Sequence, residues 1–136
     1  MEKLIPPAFD SLVLAAVAQE IQQNLLDDRI TGLVQPDAYT VGLRLRTRRG
    51  TMGLLCSIHP RWARCVIAPL PEGRAVHPFA VQLRARLDGG RLHAAGVDPF
   101  ERVLTLTCET LEGDVHLVVE VMGRHSNLLL VDGDRV

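Results

Sequence analysis

The sequence predicts an α+β fold, a pseudo-two-fold β-sandwich with two flanking helices, forming one domain over residues 1–136. Three observations carry this prediction. Two segments have helical spacing of apolar residues, and each is followed by alternating, strand-like runs. The order helix, strand, two-stranded hairpin, strand occurs twice. The two copies also align, with "LDDRITGLVQPDAYTVGL" answering "LDGGRLHAAGVDPFERVLTL" and "HPRWARCVIAP" answering "MGRHSNLLLVDG". Arg29 then matches Arg91, and Asp37 falls close to Asp98. Duplicated units of this kind predict internal pseudo-symmetry.

Each element has a local reason. In residues 10–27, Val13, Val17, Ile21 and Leu25 recur every fourth position, and Leu14 and Ala18 widen the stripe. Pro6 and Pro7 precede this helix, and Asp10 or Ser11 can cap its free amides. Residues 27–39 read as a short strand and a turn. Residues 40–58 read as a hairpin, with Val41, Leu43 and Leu45 alternating with Gly42, Arg44 and Arg46, and Arg49-Gly50 turning the chain. Residues 63–70 form a further strand that stops at Pro69 and Pro71, and "LPEGRAV" is a loop. The second helix covers residues 77–90, with Pro78 in its first turn and Gly89-Gly90 at its end. A strand over 91–97, the turn "DPFE", a hairpin over 102–122 and a last strand over 126–133 complete the second half.

Composition narrows the function classes. Hydrophobic residues make up 47% and charged residues 23%, as in ordinary folded domains. The net charge of −1 gives no overall basic signal for nucleic acid. Lys3 is the only lysine, so 14 of the 15 basic residues (15 − 1 = 14) are arginine. Arginine's planar fork suits phosphate and base contacts, and the same bias also arises from genome composition or thermal adaptation. Cys56, Cys65 and Cys108 are odd in number and lack a CxxC pair, so we expect buried free thiols in a reducing compartment. No apolar run approaches the roughly 20 residues that span a bilayer. The N-terminus shows no apolar signal region, so a cytoplasmic protein with no membrane partner is expected. The five histidines have no metal-ligand spacing and no glycine-rich phosphate loop occurs, so neither metal nor cofactor is expected.

The polar cluster Arg124, His125, Ser126 and Asn127 interrupts two apolar runs. It offers cationic, amphoteric and amide groups suited to phosphate and sugar. It equally suits a structural corner in which Ser126 and Asn127 bond the backbone. Ser57, His59 and Arg64 form the matching corner of the first half. The Ser57–His59 pair invites a hydrolase reading, yet no partner acid or oxyanion element accompanies it. Trp62 could stack on a base or serve as a packing anchor.

Several stretches together resemble the N-terminal domain of the NFACT family, which includes bacterial RqcH, eukaryotic NEMF and fibronectin-binding protein A-like members. They are "FDSLVLAAVAQEI", "DDRITGLVQPDAY", "LLCSIHPRWARCVIAP", "PFAVQLRARLDGGRL", "FERVLTL" and "VEVMGRHSNLLLVD", in this order across nearly the whole chain. "MGRHSN" before an apolar strand and Asp is the most specific, and "LDGGR" the next. The resemblance implies a fold like the N-terminal domain of formamidopyrimidine-type DNA glycosylases, and a chain corresponding to the first part of a longer multidomain protein. It implies a non-enzymatic module that binds tRNA and rRNA on obstructed large ribosomal subunits, alongside the remaining domains of its own chain, and supports tailing of stalled nascent chains. A fibronectin-binding adhesin-like module and an intramolecular scaffold are the alternatives. Glycosylase chemistry is not expected, because that enzyme class uses an N-terminal proline amine and Pro6 and Pro7 lie inside this sequence. The family's acid–arginine pair, usually Asp-Arg, falls on Glu101 and Arg102, with glutamate lengthening the acid by one methylene. Asp10 matches a family acid that also serves as a helix cap. The RNA-binding residues expected from the resemblance and the corner are therefore Asp10, Glu101, Arg102, Arg124, His125, Ser126 and Asn127.

Overall fold

A computed structural model describes residues 11–59, 64–70, 78–98, 102–121 and 127–132. Helix α1 covers Ser11–Asn24 and α2 covers Pro78–Leu87. The strands are β1 (Arg29–Asp37), β2 (Thr40–Thr47), β3 (Gly50–Ser57), β4 (Arg64–Ile67), β5 (Arg91–Asp98), β6 (Val103–Thr110), β7 (Gly113–Glu120) and β8 (Asn127–Asp132). They form one antiparallel sheet, ordered β4-β3-β2-β1-β5-β6-β7-β8 and not closed into a barrel. The fold is thus α+β, with two helices flanking an open sheet.

The two halves of the expected pseudo-two-fold sandwich are joined into this one sheet between β1 and β5. There Arg29 pairs with Arg91. Main-chain bonds run from Ile30 N–H to the Gly90 carbonyl (2.8 Å) and from Leu92 N–H to the Asp28 carbonyl (3.0 Å). This short ladder makes the two four-stranded halves continuous. Each central arginine reaches into the opposite half: Arg29 Nη1 donates to the Gly89 carbonyl at 2.9 Å, and Arg91 Nη1 to the Asp27 carbonyl at 3.2 Å. Those carbonyls follow the two helices, where a cation is favoured by the helix dipole.

The strand order mirrors itself about this joint, and the correspondence extends to details. Arg29 and Arg91 stand 62 positions apart (91 − 29 = 62). The β1–β2 register slips between Ile30 and Gly32, and the β5–β6 register slips between Leu92 and Ala94. Asp27 and Gly89 both follow a helix with positive φ, 66° and 84°. Beyond the connection between the first two strands of each half the offset becomes 63 (110 − 47 = 63), because the second connection is two residues longer and β5 is one residue shorter than β1.

The core sits on one face of the sheet. Val41, Leu43, Leu45 and Leu54 from the first half meet Leu104, Leu106, Cys108 and Leu117 from the second in a single buried cluster. Leu14, Ala18, Ile21 and Leu25 supply the helical stripe of α1, and Val17 packs half-buried beside it. Burying such a leucine contributes roughly 1.5–3 kcal/mol. The helices are exchanged: α1 packs chiefly on β5 of the second half, and α2 on β1 of the first. The Gln22 side-chain amide, donating to the Ala95 carbonyl, ties α1 to β5.

β1 runs further than the short strand expected. It continues through Pro36 to Asp37, and its register slips between Val34 and Asp37. A proline has no N–H to donate, so it fits where the ladder is interrupted. Cys56, Cys65 and Cys108 are free and buried, as expected. Cys56 and Cys65 are direct partners across β3 and β4.

Candidate nucleic-acid interface

Arg102 and Asn127 are the expected site residues that fall within the described structure. Asp10, Glu101, Arg124, His125 and Ser126 lie outside the described residues, as do Trp62 and the proline pair Pro6-Pro7. Arg102 precedes β6 and is half-buried, with φ of 53°. An arginine in the left-handed region is uncommon. Its carbonyl accepts the Val121 N–H at 3.0 Å, which ties the start of β6 to the end of β7.

The register brings Asn127 to the same end of the sheet. Val103 pairs with Glu120, and Glu120 pairs with Asn127. Asn127 Nδ2 donates to Glu120 Oε1 at 3.3 Å. Arg102, Glu120 and Asn127 thus belong to one corner, formed by the ends of three adjacent strands. Asn127 uses its amide on the Glu120 side chain, whereas the structural reading of the polar cluster expected a bond to the backbone.

The first half has a matching corner. Ile58 N–H donates to the Tyr39 carbonyl at 2.8 Å, so Tyr39 occupies the position of Arg102 (102 − 39 = 63). Asp37 Oδ1 accepts the Tyr39 N–H at 2.8 Å, an Asx turn that closes the β1–β2 connection. Ser57 Oγ accepts the His59 N–H at 3.3 Å and lies 3.3 Å from Thr40 Oγ1. Asp37, Thr40, Ser57, His59 and Arg64 line an open cavity of about 220 Å³. The Tyr39 and His59 rings meet edge to face, with centroids 5.0 Å apart. Ser57, His59 and Arg64 stand out in the sequence as a corner, but sequence reasoning misses Asp37, Tyr39 and Thr40 as its members. The duplication offset is the signal that finds them.

The two corners approach one another. Leu128, next to Asn127, lines a cavity of about 200 Å³ together with Tyr39, Val41, Ile58 and Phe79. Gln35 Oε1 is buried without a hydrogen-bond partner among the described residues, and Gln35 lines the same cavity. No group of three or more His, Cys, Asp or Glu among the described residues is placed to hold a metal ion. Among the described residues, no helix is long and apolar enough to cross a membrane.

An open antiparallel sheet with exchanged helices and polar strand-end corners defines a duplicated α+β module whose corners carry hydrogen-bonding groups and charges of both signs. Residues 10–136 match the family of NFACT N-terminal and middle domains, and the chain belongs to that family. It is 30% identical over 133 residues to the Rqc2 homolog RqcH of Bacillus subtilis, covering 92% of this chain and 23% of that protein. It is 30% identical over 132 residues to the Rqc2 homolog RqcH of Streptococcus pneumoniae, covering 92% and 24%. The chain therefore spans about a quarter of the curated relatives it matches. Among solved structures, the N-terminal domain of fibronectin-binding protein PavA from Streptococcus pneumoniae superposes with a TM-score of 0.83 at 28% identity, covering 93% of this chain and 51% of that one. The fibrinogen-binding protein from Staphylococcus aureus superposes with a TM-score of 0.81 at 29% identity, covering 95% and 48%.

Proposed function

We propose that this chain is a non-enzymatic module that binds tRNA and rRNA within a ribosome-associated quality-control factor. In this reading it acts in the cytoplasm on obstructed large ribosomal subunits and supports C-terminal tailing of stalled nascent chains. The observation that carries the reading is the corner in which Arg102, held at positive φ, stands beside the Glu120–Asn127 pair. Kinship to the RqcH proteins supports it. Glu101, Arg124, His125 and Ser126 are adjacent in sequence to this corner and complete the proposed contact set, to which Asp10, next to α1 in sequence, also belongs. Likeness to the N-terminal domain of formamidopyrimidine-type glycosylases is part of the proposal as a fold relationship only.

Arg102→Ala in the full-length protein is expected to lower tRNA recovery from ribosomes while leaving the melting temperature nearly unchanged. Losing a base-edge interaction costs about 1–3 kcal/mol by analogy with groove readout. Losing a phosphate interaction instead flattens the salt dependence of binding. Normal tRNA recovery would refute the role of Arg102. Glu101→Asp is expected to keep activity and Glu101→Gln to lose it. Similarity to proteins named for fibronectin and fibrinogen binding favours a second reading, an adhesin-like module. Direct binding of immobilised fibronectin, undiminished by Arg102→Ala, would select that reading.

A further inference from the structure

The β2–β3 hairpin carries chemistry that the Arg102 corner does not use. Between its tip and the last turn of α1 lies a groove of about 340 Å³. Arg48 and Arg49 form one wall and are exposed, as is Gln23 opposite. Neither arginine is held in an ion pair among the described residues. Leu26 and Met52 form an apolar floor, both partly buried against the core. Asp28 faces the groove; burial, then the neighbouring Asp27, raises its carboxyl pKa, and Arg48 opposes that rise. Asn24 donates its amide nitrogen to the Glu20 carbonyl at 2.9 Å, which leaves its oxygen available to the groove.

The fold does not demand these residues. The symmetry-related turn in the second half keeps the same scaffold but carries Leu111 and Glu112 in place of Arg48 and Arg49 (111 − 48 = 63). Gly90 stands where the first half has Asp28 (90 − 28 = 62). One residue before the turn, Arg46 opens a row of directly opposed arginines, Arg46–Arg29–Arg91, on the outward face of three adjacent strands. Like charges facing each other across strands are destabilising. Arg29 and Arg91 also bond the carbonyls that follow the helices; Arg46 adds a third charge beside them, and the row raises the local potential for an anion.

We propose that this groove binds one unpaired nucleotide of a single-stranded RNA segment. Arg48 and Arg49 hold its phosphate, the chemistry to which a guanidinium fork is matched. Leu26 and Met52 take the face of the base, and Gln23, the Asn24 oxygen and Asp28 meet its polar edge. A double helix does not fit, since its bases present no free face. The inference rests on the RNA-binding reading above only for the class of polymer, and its residues are separate from Arg102. Arg46 lies beside Arg29 and Arg91 beside Glu109, seven positions along β6 from Arg102, or about 23 Å at strand spacing.

The test is fluorescence anisotropy with a labelled eight-nucleotide single-stranded RNA, the same sequence as a duplex, and adenosine monophosphate as competitor. The variant Arg48→Leu with Arg49→Glu copies the second half's own turn, so it retains a sequence already compatible with this scaffold. It is expected to weaken single-strand binding about ten-fold or more, and to make the log–log salt slope shallower by about 0.7, the value for one fewer neutralised phosphate on a single strand. Gln23→Ala is expected to weaken binding without changing that slope. Unchanged affinity and slope in the double variant would overturn the proposal, as would equal binding of duplex and single strand. Equal affinity for adenosine monophosphate and the oligonucleotide would make a free nucleotide the occupant and overturn the RNA assignment. Arg102→Ala, run in parallel, separates the two ideas. Loss in that variant alone removes the groove and leaves the proposed function; loss in the tip variant alone does the reverse.

Discussion

The two hairpin tips, Thr47–Gly50 and Thr110–Gly113, fold alike but carry different side chains at their apices. In each, the threonine hydroxyl donates to the glycine carbonyl, at 2.8 Å and 2.7 Å. In each it also accepts the N–H two residues on, at 3.1 Å and 3.2 Å. Gly50 and Gly113 take φ of 108° and 110°, values that suit glycine. The threonine and glycine therefore specify the turn, and the two residues between them are free to diverge. One tip became Arg48-Arg49; the other became Leu111-Glu112, with Leu111 fully exposed. Internal duplication separates what a fold requires from what a surface has acquired.

The largest test of this comparison is in the core. Leu43 and Leu106 are related by the 63-residue offset (106 − 43 = 63), and both are fully buried. Leu43→Ala and Leu106→Ala are each expected to cost about 2–5 kcal/mol in urea unfolding, with a single transition in both. Two separate transitions would show that the halves are independent and break the comparison.

The next test concerns a position where the halves differ. A Cβ on Gly53 would lie 2.3 Å from the Ala68 carbonyl oxygen and 2.4 Å from Leu70 Cγ, so Gly53→Ala must displace main chain. The loss expected is about 1–3 kcal/mol, as for overpacked sites. The corresponding residue of the second half is His116 (116 − 53 = 63), which is half-buried and meets Thr107 Oγ1 through Nδ1 at 2.9 Å. His116→Ala is expected to cost less than Gly53→Ala, and the reverse order would mean that the Ala68–Leu70 segment does not press on β3.

A smaller effect is set by pH. Burial, followed by Asp114 and Cys56, pushes the Cys108 thiol from 9.0 up to about 12. The folded protein then holds this proton while the unfolded chain releases it. The contribution of this thiol to stability is constant below pH 9 and falls as pH rises from 9 towards 12, by up to about 1.4 kcal/mol per unit. Cys65 adds to the slope in the same direction, its thiol raised by the hydrogen bond with Cys56 and then by burial. Cys108→Ala is expected to flatten the alkaline slope in urea titrations, and an unchanged slope would refute this assignment.

The smallest effect is at Arg86, whose guanidinium meets the Asp132 carboxylate on the exposed surface. Its first-half counterpart is Asn24 (86 − 24 = 62), which bonds its own helix instead. Arg86→Ala is expected to leave the melting temperature unchanged within error, because exposed pairs contribute little.

Local patterns in the sequence located both helices and both hairpins, since period and turn residues are local properties. Val41, Leu43 and Leu45 announced β2 by alternation, and Gly89 announced the end of α2. The joint between β1 and β5 was not legible, because it rests on Arg29 and Arg91, which look like ordinary surface residues until their strands meet. Arg102 and Asn127 were legible as site candidates through family resemblance, although nothing local revealed that register would gather them at one corner. The Ser57–His59–Arg64 corner was legible, but Tyr39 was overlooked as a member because its chemistry differs from that of Arg102, and only the symmetry makes them equivalents. The arginines of the β2–β3 tip read as turn residues until α1 placed a groove beside them.

The exchange of helices has a consequence during synthesis. The apolar stripe of α1 finds its principal partner in β5, and Arg91 lies 67 positions beyond Asn24 (91 − 24 = 67). At translation rates of about 5–20 residues per second, α1 waits roughly 3–13 s before that partner exists. Throughout that interval Leu14, Ile21 and Leu25 are without their β5 docking surface, so the emerging chain is most open to aggregation and to chaperones while its second half is still being made.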